Sequence, residues 1–370
     1  MQRKQCGAVT AERGAGWAAG RFGPGLVSSL TLAICLLASA SAPAGEMRAA
    51  FASEPIYEDP VLVAEAFGLE RLAARASALA AFDDPPEGLL EQAQKMRTRD
   101  MPLFFARLQE VAPDTADTLA AAVEEVLAPA DTGEAAAKPA EALLAAVEDS
   151  RDFLFPEAVR ESAEFQVAVM AKLLLADDGV GESYEDAAEG DTWEYPTGWA
   201  ALQRVHVLWG GLPRGDDAEA AAEVDSMLEF LDTLLPTVEP PAQFAGDPEE
   251  PEAYSHRLVG FLEVIADADL YPGRDLPRMA AMVEEIAVQG CGSDVEGPHS
   301  GAQLVSVAHF YYRETLRRPL SILAPNAHEA AGEAFAGLQH WPEDEIEVLC
   351  GQLLGALEDG RAAFGPVLPR

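Results

Sequence analysis

An all-α fold follows from three features of the chain. Apolar residues recur with helical period, the strong helix formers Ala, Leu and Glu dominate, and Asp-Pro or aromatic-Pro pairs stand where helices would start. Runs of β-branched or aromatic residues alternating with polar ones, bounded by turns, are missing. The expected architecture is a multi-helix antiparallel bundle or irregular helical array behind a cleaved N-terminal signal peptide.

The leader comes first. Arg3, Lys4, Arg13 and Arg21 precede an apolar run from Leu26 to Leu37, followed by the small residues Ala38-Ser39-Ala40-Ser41-Ala42. This is the layout of a secretory signal peptide, with cleavage expected after Ala40 or Ala44. The run is shorter than the roughly 20 residues of a spanning helix, and no Cys at the cleavage point argues for a lipid anchor. The expected destination is the bacterial periplasm or the exterior. Of four cysteines, Cys6 and Cys35 leave with the leader. Cys291 and Cys350 remain, and an oxidising compartment permits one disulfide between them.

The mature elements follow in order. Asp59-Pro60 opens a helix to Phe82, with Asp as cap and Pro in the first turn. Helices are expected near Glu87–Thr98, Pro102–Val111, Asp114–Ala128 and Pro139–Ser150. Phe155-Pro156 starts a long one through Ala176, and Thr197–Trp209 and Asp216–Leu235 come next. Asp247-Pro248 opens a helix to Ala268, before Leu276–Gln289, Gly301–Leu323 and Asn326–Leu338. Trp341-Pro342 starts the last, through Glu358. Three connections are long: Pro129–Lys138, Asp177–Thr197 and Pro236–Asp247. The first, rich in Ala and Gly, divides an N-terminal helical subdomain (45–130) from a larger C-terminal domain (139–370), after a signal peptide at 1–44. The hexapeptides Leu119–Glu124, Leu143–Glu148 and Met279–Glu284 share a pattern, but their irregular spacing sets no solenoid period.

Charge narrows the function. The 370 residues hold 63 acidic and 25 basic side chains, a net charge of −38, or −41 without residues 1–45. A polyanion would meet a surface of its own sign, which argues against nucleic-acid binding and against anionic membranes. No segment after the leader reaches the length of an apolar span. H-E-x-x-H, P-loop, G-x-S-x-G and C-x-x-C are absent. His328-Glu329 lacks the second His, where Gly332 stands, and Gly297-Pro298-His299-Ser300-Gly301 lacks the strand and spacing of a nucleophile elbow.

Three places remain as candidates. On the helix opened by Pro248, Glu249, Glu252, His256, Glu263 and Asp267 fall within a sector of about 60°. Glu252 and His256 are one turn apart, a start for a divalent metal ion that a facing helix could complete. Glu161 and Glu164 are the second metal candidates, clustered at the start of the Pro156 helix, where carboxylates also suit the helix dipole. In the Asp177–Thr197 loop and its sequel, Glu182, Tyr184, Glu185, Asp186, Trp193 and Trp199 mix acids with aromatics and could bind a cation or a basic partner. The same aromatics could equally pin the loop to the core. His206 and His309 read as packed or capping residues.

The stretch Leu173–Trp209, with L-L-A-D-D-G-V-x-E-x-Y-E and Y-P-x-G-W-A-A-L-Q-R-V, resembles segments of the helical periplasmic modules that accompany FTR1-type iron permeases. The permease motif R-E-x-x-E also occurs, as Arg160-Glu161-Ser162-Ala163-Glu164, but without the membrane helix that carries it there. The resemblance implies an accessory role in iron uptake beside a membrane permease or another periplasmic protein, not permease activity itself. The expectation is therefore an exported, acidic, non-enzymatic binding protein, with a divalent metal ion as candidate cofactor. A non-catalytic scaffold whose acidity suits high salt is the alternative. A hydrolase with an unrecognised site is the third reading, and a cleft holding a His and a carboxylate with opposed pKa shifts would favour it.

Overall fold

The computed structural model describes residues 59–82, 85–128, 137–212, 217–268, 275–292, 299–342 and 344–367; the leader expectation lies outside them. Their regular structure is helical throughout, and they belong to one compact unit, Ser53–Arg370. No described helix is long and apolar enough to cross a membrane.

Helix α1 (Pro60–Ala80) is the axis. Asp59 caps it, its carboxylate accepting from Leu62 N at 3.0 Å, and 17 of its 21 residues are buried. It is buried on every side because α5 (Ala137–Leu154), α7 (Ala163–Leu175), α9 (Tyr195–Gly211) and α13 (Gly301–Tyr311) pack around it. Its Leu, Phe and Val side chains each contribute about 1.5–3 kcal/mol by leaving water. Its charged residues Glu65, Glu70, Arg71 and Arg75 are buried with them and need partners.

After α2 (Glu87–Ala93), Met96–Asp100 winds as a π-helix, closed by Met101 N to Met96 O, and continues as a 3-10 turn, Met101–Leu103. The seven-residue α3 (Phe105–Val111) follows, then α4 (Pro113–Leu127), then α5. Near the other end, α12 (Leu276–Cys291) and α13 lead into a second π-helix, Tyr312–Leu316. Again a seven-residue helix follows, α14 (Arg317–Leu323), then α15 (Pro325–Leu338) and α16 (Ile346–Phe364). The succession is an internal repeat. Ala112 and Ala324 precede the prolines with matching dihedrals, φ −150, ψ 70 and φ −144, ψ 65. Buried residues pair 212 apart, Leu108 with Leu320, Val123 with Phe335 and Val126 with Leu338; on the last helices the separation is 210, Ala140 with Cys350, Leu143 with Leu353 and Val147 with Leu357. The hexapeptide pattern falls on α4, α5 and α12, which are not equivalent in this repeat.

Between the repeats lie α6 (Glu157–Arg160), α7, α8 (Val180–Glu189), α9, α10 (Ala218–Leu234) and α11 (Glu250–Ala266). Residues 129–138, expected to separate an N-terminal subdomain from the rest, connect helices that pack together: α5 lies against both α4 and α1. The single helix expected from Pro156 to Ala176 is broken at Glu161-Ser162, because Ser162 turns extended (ψ 122) and caps α7 by accepting from Phe165 N. The Asp177–Thr197 segment, expected as a loop, holds α8, whose Gly181 lets it approach α11. A Cβ there would sit 2.8 Å from Glu252 Cα. A disulfide joins Cys291 of α12 to Cys350 of α16, with Cα atoms 5.6 Å apart.

Candidate functional site

Arg71 and Arg75 stand one turn apart on α1 and are both buried. Asp100, at the end of the first π-helix, reaches Arg75 Nε at 2.9 Å and Arg71 Nε at 3.3 Å. Asp178 completes the set from the α7–α8 turn, where its left-handed backbone (φ 61), a conformation Asp tolerates, brings it inward. It accepts from Arg71, from Arg75 Nη2 at 3.1 Å, from Lys95 Nζ at 2.6 Å and from Arg99 Nη1 at 3.0 Å. Burial alone would raise the Asp178 pKa, but Arg71, Arg75, Lys95 and Arg99 outweigh it and hold this carboxylate far below its usual range. Burial would lower Arg71, and Asp100 and Asp178 reverse that. Lys95 also bonds Glu194 Oε1 at 2.7 Å, while burial and Asp178 keep Glu194 raised.

Beside this network lies a cavity of about 270 Å³, walled by α1, the first π-helix and its 3-10 continuation, α13, the second π-helix and α15. Both π stretches face it, a placement typical of functional sites. Its charged lining is Arg71, Arg99, Arg313 and Asp100. Three guanidiniums and one carboxylate line it, with Asp178 behind them holding Arg71 and Arg99. Arg313 is the least compensated: it makes no hydrogen bond among the described residues, and its ion pair with Glu314 is long, at 3.7 Å. Burial and the neighbouring Arg99 lower its pKa.

His309 lines the same space, stacked on Phe335 with ring centroids 4.6 Å apart. Burial and Arg313, Arg99 and Arg317 push it down to about 4, so it is neutral at pH 7. Behind the wall, burial and Asp177 push Glu314 up to about 7, and its Oε2 accepts from Asp177 N at 3.1 Å. Lys172, lowered by burial, lies over the rings of Phe310 and Tyr311. The opposed shifts of His309 and Glu314 are the pattern a hydrolase would show, yet Glu314 does not line the cavity. Ser306, which does, donates to Ala302 O at 2.9 Å.

The other buried charges of α1 are satisfied structurally. Glu65 pairs with Arg107, with His299 Nδ1 at 3.1 Å and with Gln303 Nε2 at 2.7 Å; Glu70 pairs with Arg204 at 2.7 Å and Arg151 at 2.5 Å. Ser300 caps α13, accepting from Gln303 N. His299 and Ser300 thus act as a structural pair; Gly297 and Pro298 lie outside the described residues.

The residues singled out from sequence separate into two groups. Glu252 and His256 meet at 3.4 Å on an exposed face of α11, and α8 brings Glu182 and Glu185 near Glu252. Burial together with Asp186, Glu185, Asp177 and Glu252 pushes Glu182 up to about 7. Burial and neighbouring carboxylates raise Glu185 and Asp186 as well. Glu161 and Glu164 stand exposed on either side of the α6–α7 break, and Arg160 pairs with Asp152 at 2.7 Å. Among the described residues, no group of three or more His, Cys, Asp or Glu could hold a metal ion.

The aromatics of this segment pack inward to different degrees. Tyr184 is buried against Tyr195 and Phe244 and donates to Ala245 O; Trp193 packs over Gly88, and Trp199 lies against the core. His206 bridges to Asp232 at 2.9 Å.

Sequence reading missed the arginine cluster. Its available signal was Arg71 and Arg75 at i, i+4 in an otherwise Ala/Leu-rich helix, and the scarcity of basic residues elsewhere. No protein-family model, curated protein or solved structure matches this chain.

Proposed function

We propose that this chain is an exported, non-catalytic binding protein that holds a small organic anion in the cavity between the two π-helices. One observation carries this reading: three arginines face a cavity against a single carboxylate in a chain of charge −38, and one of them, Arg313, has no hydrogen bond among the described residues. Guanidinium forks suit anionic oxygens, and a partly desolvated cation gains most from an incoming anion. The Cys291–Cys350 bridge supports an oxidising compartment. A neutral His309 packed on Phe335, without a hydrogen bond to a hydroxyl or carboxylate among the described residues, supports binding over catalysis.

Thermal unfolding with a panel of small carboxylates, phosphate and sulfate tests the reading. A ligand at a hundred times its Kd adds about 2.7 kcal/mol, on the order of 5 °C for a chain of this size. Stabilisation by at least one anion, lost in Arg313→Gln, is expected; no response to any anion refutes the reading.

A second reading, an accessory role in metal-ion uptake beside a permease or another periplasmic protein, draws on the α8–α11 face. There burial and the neighbouring carboxylates push Glu182 up to about 7 and raise Glu185, so a cation or basic partner would relieve them. Its test is the same unfolding assay with Fe²⁺, Zn²⁺ and Cu²⁺, where selective stabilisation lost in Glu252→Gln supports it.

A further inference from the structure

We infer that the ligand of the cavity is an amphipathic monocarboxylate, its head on Arg313 and Arg99 and its apolar body against Phe335 and Phe67; this rests on the anion-binding reading above. The lining is amphipathic. Three elements each carry an arginine and an apolar or aromatic lining residue one turn apart: Phe67 and Arg71 on α1, Arg99 and Leu103 across the first π-helix and its 3-10 turn, His309 and Arg313 across α13 and the second π-helix. Arg71 lies over the Phe67 ring, its Cζ 5.2 Å from the ring centroid, so guanidinium and aromatic surface adjoin each other in the lining. Val305, Phe310, Phe335 and Leu338 are its other large apolar lining residues.

The lining bears on the valence. Asp178 and Asp100 already hold Arg71, and Asp178 holds Arg99, which leaves Arg313 as the lining guanidinium without a hydrogen bond among the described residues. One negative charge suits one such cation, whereas the second charge of a phosphate dianion would be desolvated without a partner of its own. The His309 and Phe335 rings, stacked on each other at 12°, add aromatic surface to the lining beside the arginines.

Isothermal titration of the full chain at pH 7.5 with benzoate, acetate, phosphate and neutral benzamide decides it. Benzoate is expected to bind one to one, at least tenfold tighter than acetate or phosphate, with no measurable heat from benzamide. Arg313→Gln should weaken benzoate at least tenfold, and Phe335→Leu should weaken benzoate while leaving acetate unchanged. Circular dichroism checks that each variant folds; should Arg313→Gln not fold, Arg313→Lys keeps the charge without the fork and should still weaken benzoate severalfold. Acetate or phosphate binding as tightly as benzoate would overturn the amphipathic class while leaving an anion site standing. Equal binding of benzamide, or no binding by any of the four, would overturn both.

Discussion

The two repeats use one helical succession for different physical ends. In the first, α1 is enclosed on all sides, so its four buried charges are held by ion pairs reaching as far as Asp178 and His299. In the second, the equivalent α12 buries one stripe, Met279, Val283, Ile286 and Gly290, leaves its other face towards solvent, and is bonded covalently to α16. Packing decides which device suits: a helix surrounded by neighbours has room for charge only as a closed network, whereas a peripheral helix gains from a staple. The cavity lies where the halves meet, taking Arg99 and Asp100 from one and Arg313 from the other.

Breaking the network should cost most. Asp178→Ala leaves Arg71, Arg75, Lys95 and Arg99 without their shared carboxylate, and urea unfolding should show a loss of roughly 3–5 kcal/mol. A loss below about 1 kcal/mol would mean that water replaces the carboxylate and that α1 is less enclosed than its burial indicates.

The staple of the second repeat comes next. Replacing Cys291 and Cys350 by Ser together should cost about 2–4 kcal/mol in the same assay, reading the covalent half of the comparison directly.

Acidity then separates carboxylates that are held charged from those held neutral. Glu314 and Glu182 keep protons up to about 7 in the folded chain, whereas an unfolded Glu loses its proton near 4.5. The folded state therefore binds more protons between these values, and both groups make stability fall as pH rises through that window. Asp178 has the opposite sign: its depressed pKa gives stability that is present above about pH 4 and lost in stronger acid. Urea midpoints at pH 5 and pH 7.5 should differ less in Glu314→Gln than in the wild type. An unchanged difference would locate the slope at Glu182.

The smallest effect belongs to the exposed α11 pair. Glu252→Gln and His256→Gln should each change stability by less than about 0.5 kcal/mol, since both side chains are about half exposed.

Much of this fold is written in local chemistry. Asp59-Pro60 and the apolar periods announce helices because capping and propensity act within a few residues. The break at Ser162 was equally local, since a Ser can cap as well as continue a helix, and the surrounding apolar run outweighed it. Helix α8 was obscured by its acids and glycines, although Gly181 serves packing rather than flexibility. The repeat was marked by Leu108…Ala112-Pro113 and Leu320…Ala324-Pro325, a spacing too distant for a helix-by-helix reading to notice. The site was the least legible region. Arg71, Arg99, Asp178 and Arg313 share no motif, and only tertiary packing gathers them. The exposed, well-spaced Glu252–His256 pair, by contrast, attracts attention because helical period alone brings it together.

A crystal of the protein soaked with 4-bromobenzoate tests the central claim most directly, because the bromine scatters anomalously. One bromine peak is expected inside the cavity against Phe335 and Phe67, with the carboxylate on Arg313. A cavity without the ligand, or a peak found only in a second hollow, of about 140 Å³ and lined by Phe155, Arg151 and Arg160, would contradict it.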